Sequence, residues 1–543
     1  MLNQILCKVS FIIAISLTAL LTSELSNREC FAVQKRATTS PQTFRRLSSQ
    51  EYQKQFTKWY AQGYVAEAIS VQVIGNKPTF NVTFVKPTNK VVSSAIHDAS
   101  TERYKQRTAD ALQRGLVESE HQTYRVNGKT LHIAVWRSLE TKTLGRIWAS
   151  PRAVPALGKT DTTSAPLDEL FKSFLHEHQI PGATVAVSYR GKILYCRGFG
   201  YSNLEQKNKM RPNTQMRIAS VSKPITGAAI TQLVDRGRLR LDDTVFDVLE
   251  FTPTYPKSVR PKPVNGNFKT ITIQQLLHHT GGFDRKASYD PMFRSTTVAQ
   301  AFRKPLPASS TDIIGYMMSQ PLDFKPGSKM AYSNFGYCLL GRVIEKVSGT
   351  TYEKYVQDNI LKPVGANETL LGRTKEDLRF QNEAKYYLRE QSYARSVVGD
   401  TKSVKSQYGA WNLEAMDAHG GWVSTASDLA KFASEFDNLK TCRLMSAPAV
   451  QSMFTAPTYF KRANAERYYG FGWSVVNRQS RLNAYHMGSL PGTSSLLVRR
   501  YDGFNWAVLF NCRKTLSGKE PAREIDSLMH RAVTQSAKNA GLK

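Results

Sequence analysis

The residue types best placed to do chemistry in this chain sit in Arg217-Ile218-Ala219-Ser220-Val221-Ser222-Lys223-Pro224. The run that follows, Ile225 to Val234, carries Ile225, Ala228, Ala229 and Leu233 at three- and four-residue steps and predicts a buried helix broken only by Gly227. If Ser220 opens that helix, Lys223 lies one turn later on the same face. A serine hydroxyl is a poor nucleophile until a base takes its proton. A lysine amine whose pKa is lowered by desolvation can be that base. The free N–H groups of a helix start also suit a developing oxyanion. Four residues with two fixed positions recur by chance, and an N-cap serine followed by an exposed lysine would look the same. The chemistry therefore needs partners.

Two further stretches supply them. Tyr332-Ser333-Asn334 follows the turn Lys325-Pro326-Gly327 and precedes an apolar helix beginning at Phe335. Tyr332 is a candidate proton carrier, and Asn334 a candidate side-chain donor to substrate. His486-Met487-Gly488 ends a strand before the turn Leu490-Pro491-Gly492. Glycine at 488 would let a substrate backbone approach closely, and the next N–H, from Ser489, would join that of Ser220 in facing the oxyanion.

Ser220-x-x-Lys223, Tyr332-x-Asn334 and His486-x-Gly488, in this order, resemble the penicillin-recognising serine hydrolases, class C β-lactamase branch. Ile180-Pro181-Gly182, Gly198-Phe199-Gly200-Tyr201, Leu276-Leu277-His278-His279-Thr280-Gly281-Gly282 and Gly420-Gly421-Trp422-Val423-Ser424-Thr425-Ala426 add to the resemblance, which covers roughly 165–535. It implies an α+β fold, a β-lactamase/transpeptidase-like antiparallel sheet flanked by helices with an all-α lobe. It also implies an acyl-enzyme mechanism without metal or cofactor. Ser220 attacks a carbonyl, Lys223 with Tyr332 takes and returns the proton, and N–H groups of Ser220 and Ser489 hold the oxyanion. Asn334, His486 and Gly488 bind substrate. One departure matters: β-lactamases and D-Ala-D-Ala enzymes usually carry lysine where this chain has His486, which is mostly neutral at pH 7. The expected activity is cleavage of an amide or ester, by a peptidase for D-amino-acid or small-residue peptides or by a carboxylesterase. β-Lactamase or D,D-carboxypeptidase activity is the alternative, and a non-catalytic envelope or peptidoglycan-binding protein the alternative from another class. His278-His279 and Trp422 with Gly420-Gly421 read as packing and scaffold rather than as ligands.

These motifs need a large frame, and 543 residues provide it. Lys8 followed by the apolar run Val9 to Leu21 predicts a signal peptide over 1–32, too short to span a bilayer comfortably, with an uncleaved anchor as the alternative. No second apolar stretch reaches spanning length, so a secreted or periplasmic protein with no stable membrane span after processing is expected. Residues 33–50 read as a tether. Residues 51–138 hold two tandem α+β repeats: Glu51-Tyr52 to Gly63-Tyr64-Val65 returns as Arg103-Tyr104 to Gly115-Leu116-Val117. Each repeat predicts a helix and then a hairpin turning at Gly75-Asn76 or Asn127-Gly128. They resemble bacterial tandem-repeat modules found beside some secreted serine hydrolases; His121 and His132 within them read as surface or strand residues. Residues 139–165 read as a linker, and 166–537 as the hydrolase domain. Its expected elements are a helix from Leu167, strands near 183–188, 193–198, 483–487, 495–500 and 505–512, and a closing helix 524–536.

The net charge of +31 is spread: residues 33–150 hold 18 Lys and Arg against 8 Asp and Glu. No zinc-knuckle spacing, RNP-like aromatic motif or concentrated basic helix accompanies it, so nucleic acid is not an expected partner. Adhesion to an anionic cell-envelope polymer is, beside a peptide or ester substrate. Cys7 and Cys30 would leave with the signal. Cys196, Cys338, Cys442 and Cys512 are too scattered for a metal site or a disulfide framework and read as buried thiols.

Overall fold

A computed structural model describes residues 32–34, 40–87, 91–114, 116–138, 144–253, 255, 266–399, 403–457, 466–479 and 481–542. The signal peptide expected over 1–32, apart from Ala32, lies outside the described residues, as do Cys7 and Cys30. The chain divides into two compact units, one from residues 1–142 with 392–395 and one from the rest.

In the first unit, Ser48 accepts from the Glu51 amide and Glu51 answers to the Ser48 amide, a capping box that starts helix Ser49–Ala61. Strands Val65–Ile74 and Lys77–Val85 follow as a hairpin whose turn residues Gly75 and Asn76 both take positive φ, as a two-residue turn on twisted strands requires. The second repeat runs through helix Thr101–Gln113 and strands Leu116–Val126 and Lys129–Ser138, turning at Asn127 and Gly128. Each repeat also has a leading strand that sequence patterning does not reveal. Gln42–Leu47 pairs with the last strand of the first repeat, and Val91–Ala99 with the last strand of the second. The expected tether over 33–50 is thus corrected: its later half is a sheet strand, hidden because QTFRRL is short and polar. The repeats bury one core together, Phe80, Val82 and Phe84 of the first with Tyr124, Ile133 and Val135 of the second.

The second unit is organised on an antiparallel sheet. Across it run Asn208–Lys209, Lys192–Asn203, Gly182–Tyr189, Phe504–Phe510, Thr493–Arg499, Arg481–Leu490, Ser474–Arg478 and Arg467–Tyr469. The join between Gly182–Tyr189 and Phe504–Phe510 brings the two ends of this unit into register, Val187 opposite Trp506. Side chains alternate along each strand. Val185, Val187, Val498, Trp506 and Val508 pack beneath helices Ala165–His178 and Pro521–Asn539. Ala186, Leu497, Ala507 and Leu509 face the larger core of the helical lobe. The expected linker over 139–165 is also corrected in part. Trp148 is buried in the sheet's outer layer, its indole N–H donating to the Ile180 carbonyl at 2.8 Å, and Ala156–Leu157 pairs with Lys192–Asn203. Among the described residues no helix is long and apolar enough to cross a membrane. Cys196, Cys338, Cys442 and Cys512 are free thiols, Cys338 and Cys512 buried.

Candidate active site

Ser220 sits in a single 3-10 turn, Ala219–Val221, that runs directly into helix Ser222–Asp235. All but two of that helix's residues are buried, which is why its sequence is apolar and small all round rather than amphipathic. At Gly227 the absent side chain makes room for the Phe471 backbone. The residue before Ser220, Ala219, takes φ +48°, a left-handed conformation that costs a non-glycine residue about 1–3 kcal/mol. The surroundings hold it there. Thr493 Oγ1 donates to the Arg217 carbonyl at 2.8 Å, Ser495 Oγ to the Ile218 carbonyl at 2.6 Å, and Ser222 Oγ to the Ala219 carbonyl at 2.7 Å.

Lys223 is fully buried, and its Nζ is 3.2 Å from Ser220 Oγ, 2.8 Å from Asn334 Oδ1 and 2.9 Å from the His419 carbonyl. Burial, and secondarily the positive charge of Arg285, hold its pKa well below the usual lysine value, while Asp290 opposes them. A neutral amine has two N–H groups and one lone pair. Lys223 Nζ donates to Asn334 Oδ1, to the His419 carbonyl and to Ser220 Oγ; in the neutral amine the first two take both N–H groups, which leaves the lone pair for the Ser220 hydroxyl. The Tyr332 ring lies 4.7 Å from Lys223 Nζ, and its hydroxyl is buried without a hydrogen-bond partner of normal geometry. Burial raises its pKa above that of a free phenol, with the Ser220 hydroxyl and Arg285 pulling the other way, so at neutral pH it carries its proton. An alcohol, an amine and a phenol from two distant parts of the chain thus meet in one crevice.

Asn334 lies at the start of helix Asn334–Ser348 and is committed at both ends. Its oxygen accepts from Lys223, and its Nδ2 donates to Asp290 Oδ2 at 2.7 Å. It therefore positions the amine, leaving one amide proton for a substrate. His486 lines the cleft but presents no free nitrogen: Nδ1 meets the Met487 carbonyl at 2.8 Å and Nε2 the Tyr469 hydroxyl at 2.9 Å. Burial depresses its pKa to about 3, so the ring is neutral at any pH near 7. Gly488 also lines the cleft, but the reason for glycine differs from the one expected. A Cβ there would run into the Ile218 carbonyl and the Ser495 hydroxyl and lie 3.1 Å from Ala219 Cβ. The missing side chain admits the nucleophile's own turn.

Two cavities of about 360 and 450 Å³ open on either side of Ser220 and share Ser220, Arg285, Ser489 and Arg513. The smaller is walled by Phe293, Trp411, Met416, Leu490 and Pro491, the larger by Met330, Tyr469, Tyr485, Glu520 and Arg523. Sequence reasoning missed both arginines that line the two cavities with Ser220. Arg285 stacks over the Tyr332 ring at 4.7 Å and lies 3.8 Å from Asp290 Oδ2. Arg513 donates through Nε to Ser489 Oγ at 3.0 Å and forms no ion pair with a described residue. Gly420, read from sequence as scaffold, lines the smaller cavity too, whereas Trp422 is wholly buried. His278 and His279 pack as expected: His279 Nδ1 accepts from the Ser333 amide and its ring contacts Tyr332 and Tyr469, while His278 Nδ1 meets the Tyr469 carbonyl. Nothing in the local sequence marked Arg285 or Arg513, because only the closing of the sheet brings the segment after Phe510 beside Ser489.

Residues 167–529 match the Beta-lactamase family, and residues 38–87 a family described as polyglycine hydrolase-like, structural repeat. The chain is 27% identical over 359 residues to Protein flp of Staphylococcus aureus (strain N315), an alignment covering 65% of this chain and 64% of that protein. It is 29% identical over 375 residues to Penicillin-binding protein 4* of Bacillus subtilis (strain 168), covering 68% and 74%. Among solved structures, the octameric penicillin-binding protein homologue from Pyrococcus abyssi superposes with a TM-score of 0.52 at 25% identity, over 70% of this chain and 79% of that one. The chain, which spans just under two thirds of the length of the Staphylococcus aureus relative, belongs to the Beta-lactamase family.

Proposed function

We propose that the protein cleaves an amide or ester bond through an acyl-enzyme on Ser220. The observation that carries this reading is the buried Lys223 amine, 3.2 Å from Ser220 Oγ and held there by Asn334 Oδ1 and the His419 carbonyl, with its pKa lowered by desolvation. Lys223 takes the hydroxyl proton as Ser220 Oγ bonds to the substrate carbonyl carbon. N–H groups of Ser220 and Ser489 hold the oxyanion. Tyr332, protonated at rest, passes a proton to the departing nitrogen or oxygen as the carbon–heteroatom bond breaks, and is reprotonated from Lys223. Water then attacks the acyl-enzyme and Ser220 regains its proton.

The preferred substrates are peptides of D-amino acids or small residues, with carboxylesters second. A repeat family described as polyglycine hydrolase-like supports small-residue peptides. The neutral His486 argues against an efficient β-lactamase or D,D-carboxypeptidase, in which a cation on this strand meets the substrate carboxylate; Arg513 and Arg285 are the cations left to do so here. Secretion, and adhesion of the basic chain to an anionic envelope polymer, complete the proposal.

The test is a fluorophosphonate probe followed by mass spectrometry of the Ser220 peptide, with p-nitrophenyl esters, D- and L-amino-acid anilides and nitrocefin as competing substrates. Labelling of the wild type and none of Ser220→Ala is expected. Folded wild-type protein that takes up no label would make the chain a binding protein instead.

A further inference from the structure

Arg217 is wholly buried three residues before the nucleophile, and nothing in the acylation chemistry uses it. A buried guanidinium must have its donors satisfied and its charge matched. One terminal nitrogen donates to the Gln407 carbonyl at 2.6 Å, and the other to the Arg373 carbonyl at 2.8 Å and, more weakly, the Thr374 carbonyl at 3.4 Å. Its Nε lies 3.8 Å from Glu383 Oε1, a carboxylate as buried as itself. The Tyr386 and Tyr408 rings, tilted against each other, lie 4.6 and 5.4 Å from the guanidinium carbon. The Tyr386 hydroxyl donates to Glu383 and accepts from the Arg217 amide.

These partners come from one stretch of the chain, from Arg373 to Tyr408, whose Ala384, Tyr386 and Tyr408 are themselves packed in the core of the helical lobe. The guanidinium ties its two ends together. Immediately beyond the later end, Ala410 and Trp411 line the smaller cavity beside Ser220, and Ser406 lines it on the near side. Lys405 with Glu376, and the Leu413 amide with Thr374 Oγ1, also join the two ends of this segment. The nucleophile turn has separate supports, the hydroxyls of Thr493, Ser495 and Ser222 on its backbone carbonyls, which do not involve the guanidinium.

We propose that Arg217, with Glu383, is a positioning residue that sets the wall of the substrate cavity and hence which substrates Ser220 accepts, rather than the reactivity of Ser220 itself. This rests on Ser220 being the nucleophile. Lysine keeps the charge but lacks the planar fork that serves Gln407 and Arg373 at once. In Arg217→Lys the segment 406–411 therefore loosens while the turn at Ser220 stays put.

The experiment compares Arg217→Lys and Glu383→Gln with the wild type on p-nitrophenyl acetate and on a p-nitrophenyl ester of a bulky aromatic acid, with fluorophosphonate labelling and hydrogen–deuterium exchange of 403–411. Expected are labelling and acetate turnover within about threefold of wild type, a KM for the bulky ester raised about tenfold or more, and faster exchange confined to 403–411. Equal losses on both esters, unchanged KM values, or failure of both variants to fold would each overturn the proposal, since the group would then be a general support or an idle one. If the wild type neither labels nor turns over ester, the hydrolase reading fails; the exchange measurement still decides whether Arg217 holds the segment.

Discussion

Gly488→Ala separates the two reasons a glycine can stand beside this nucleophile. The added methyl group would be placed inside van der Waals contact of the Ile218 carbonyl and the Ser495 hydroxyl, and 3.1 Å from Ala219 Cβ. Restoring ordinary contact requires the strand Arg481–Leu490 and the turn at 218–219 to part by about 1 Å. Neither side has slack. Ile218 is held by Ser495 and by the Trp422 carbonyl, and the strand is paired on both edges. Overpacking of this kind costs about 1–3 kcal/mol of stability. A misplacement of about 1 Å between Ser220 and the Ser489 N–H costs about 100-fold in kcat/KM, or about 2.7 kcal/mol of transition-state stabilisation. Both are measurable on one preparation, by urea unfolding and by the rate of fluorophosphonate labelling with p-nitrophenyl acetate turnover as a second readout. Labelling should slow even with so small a probe, because the nucleophile's own turn is displaced. If glycine served only to let a substrate backbone approach, stability and small-probe labelling would be untouched and only KM for extended substrates would rise. A variant that labels at the wild-type rate with an unshifted urea midpoint refutes the packing argument.

Two further outcomes follow from burial. His278 and His486 have pKa values depressed to about 4 and about 3, and His279 and His419 lie well below 6.5, in each case chiefly through desolvation. Above 6.5 these rings are neutral folded or unfolded and contribute no pH dependence; below it the unfolded chain takes up protons that the folded one refuses. Stability should therefore fall as pH drops from 6.5 toward 4, by up to roughly 1.4 kcal/mol per pH unit for each histidine. Asp437, pushed up to about 6 by burial, acts in the opposite sense, as do Asp290, Asp417, Asp428 and Asp526, also raised by burial, while His97, His132 and His530 add to the histidine side. A urea midpoint that is level or rising between pH 7 and 4.5 would contradict this. Removing residues 40–138, while keeping the buried Trp148, should spare turnover of a small ester but weaken retention on a polymeric anionic substrate. Equal loss of both would mean that the repeats support the fold of the hydrolase unit.

The sequence by itself marked the candidate groups. Ser220 and Lys223 are three residues apart at the start of a run, Ile225 to Val234, whose apolar and small residues predict burial, so an amine near a hydroxyl was legible there once Tyr332-x-Asn334 and His486-x-Gly488 were set beside it. Alternation in the strands, and Gly-Asn or Asn-Gly turns with φ above zero, likewise fixed the hairpins locally. The short strand Gln42–Leu47 escaped notice because it is polar and is held only by a partner some forty residues away. Which groups surround the nucleophile was decided by tertiary structure alone. Pairing of Gly182–Tyr189 with Phe504–Phe510 carries Arg513 to Ser489, and packing of the helical lobe sets Asp290 against Asn334 and the His419 carbonyl against Lys223. The same burial leaves His486 neutral with both nitrogens occupied. Proximity and desolvation depend on residues that are hundreds of positions apart in the chain, and no local pattern can encode them.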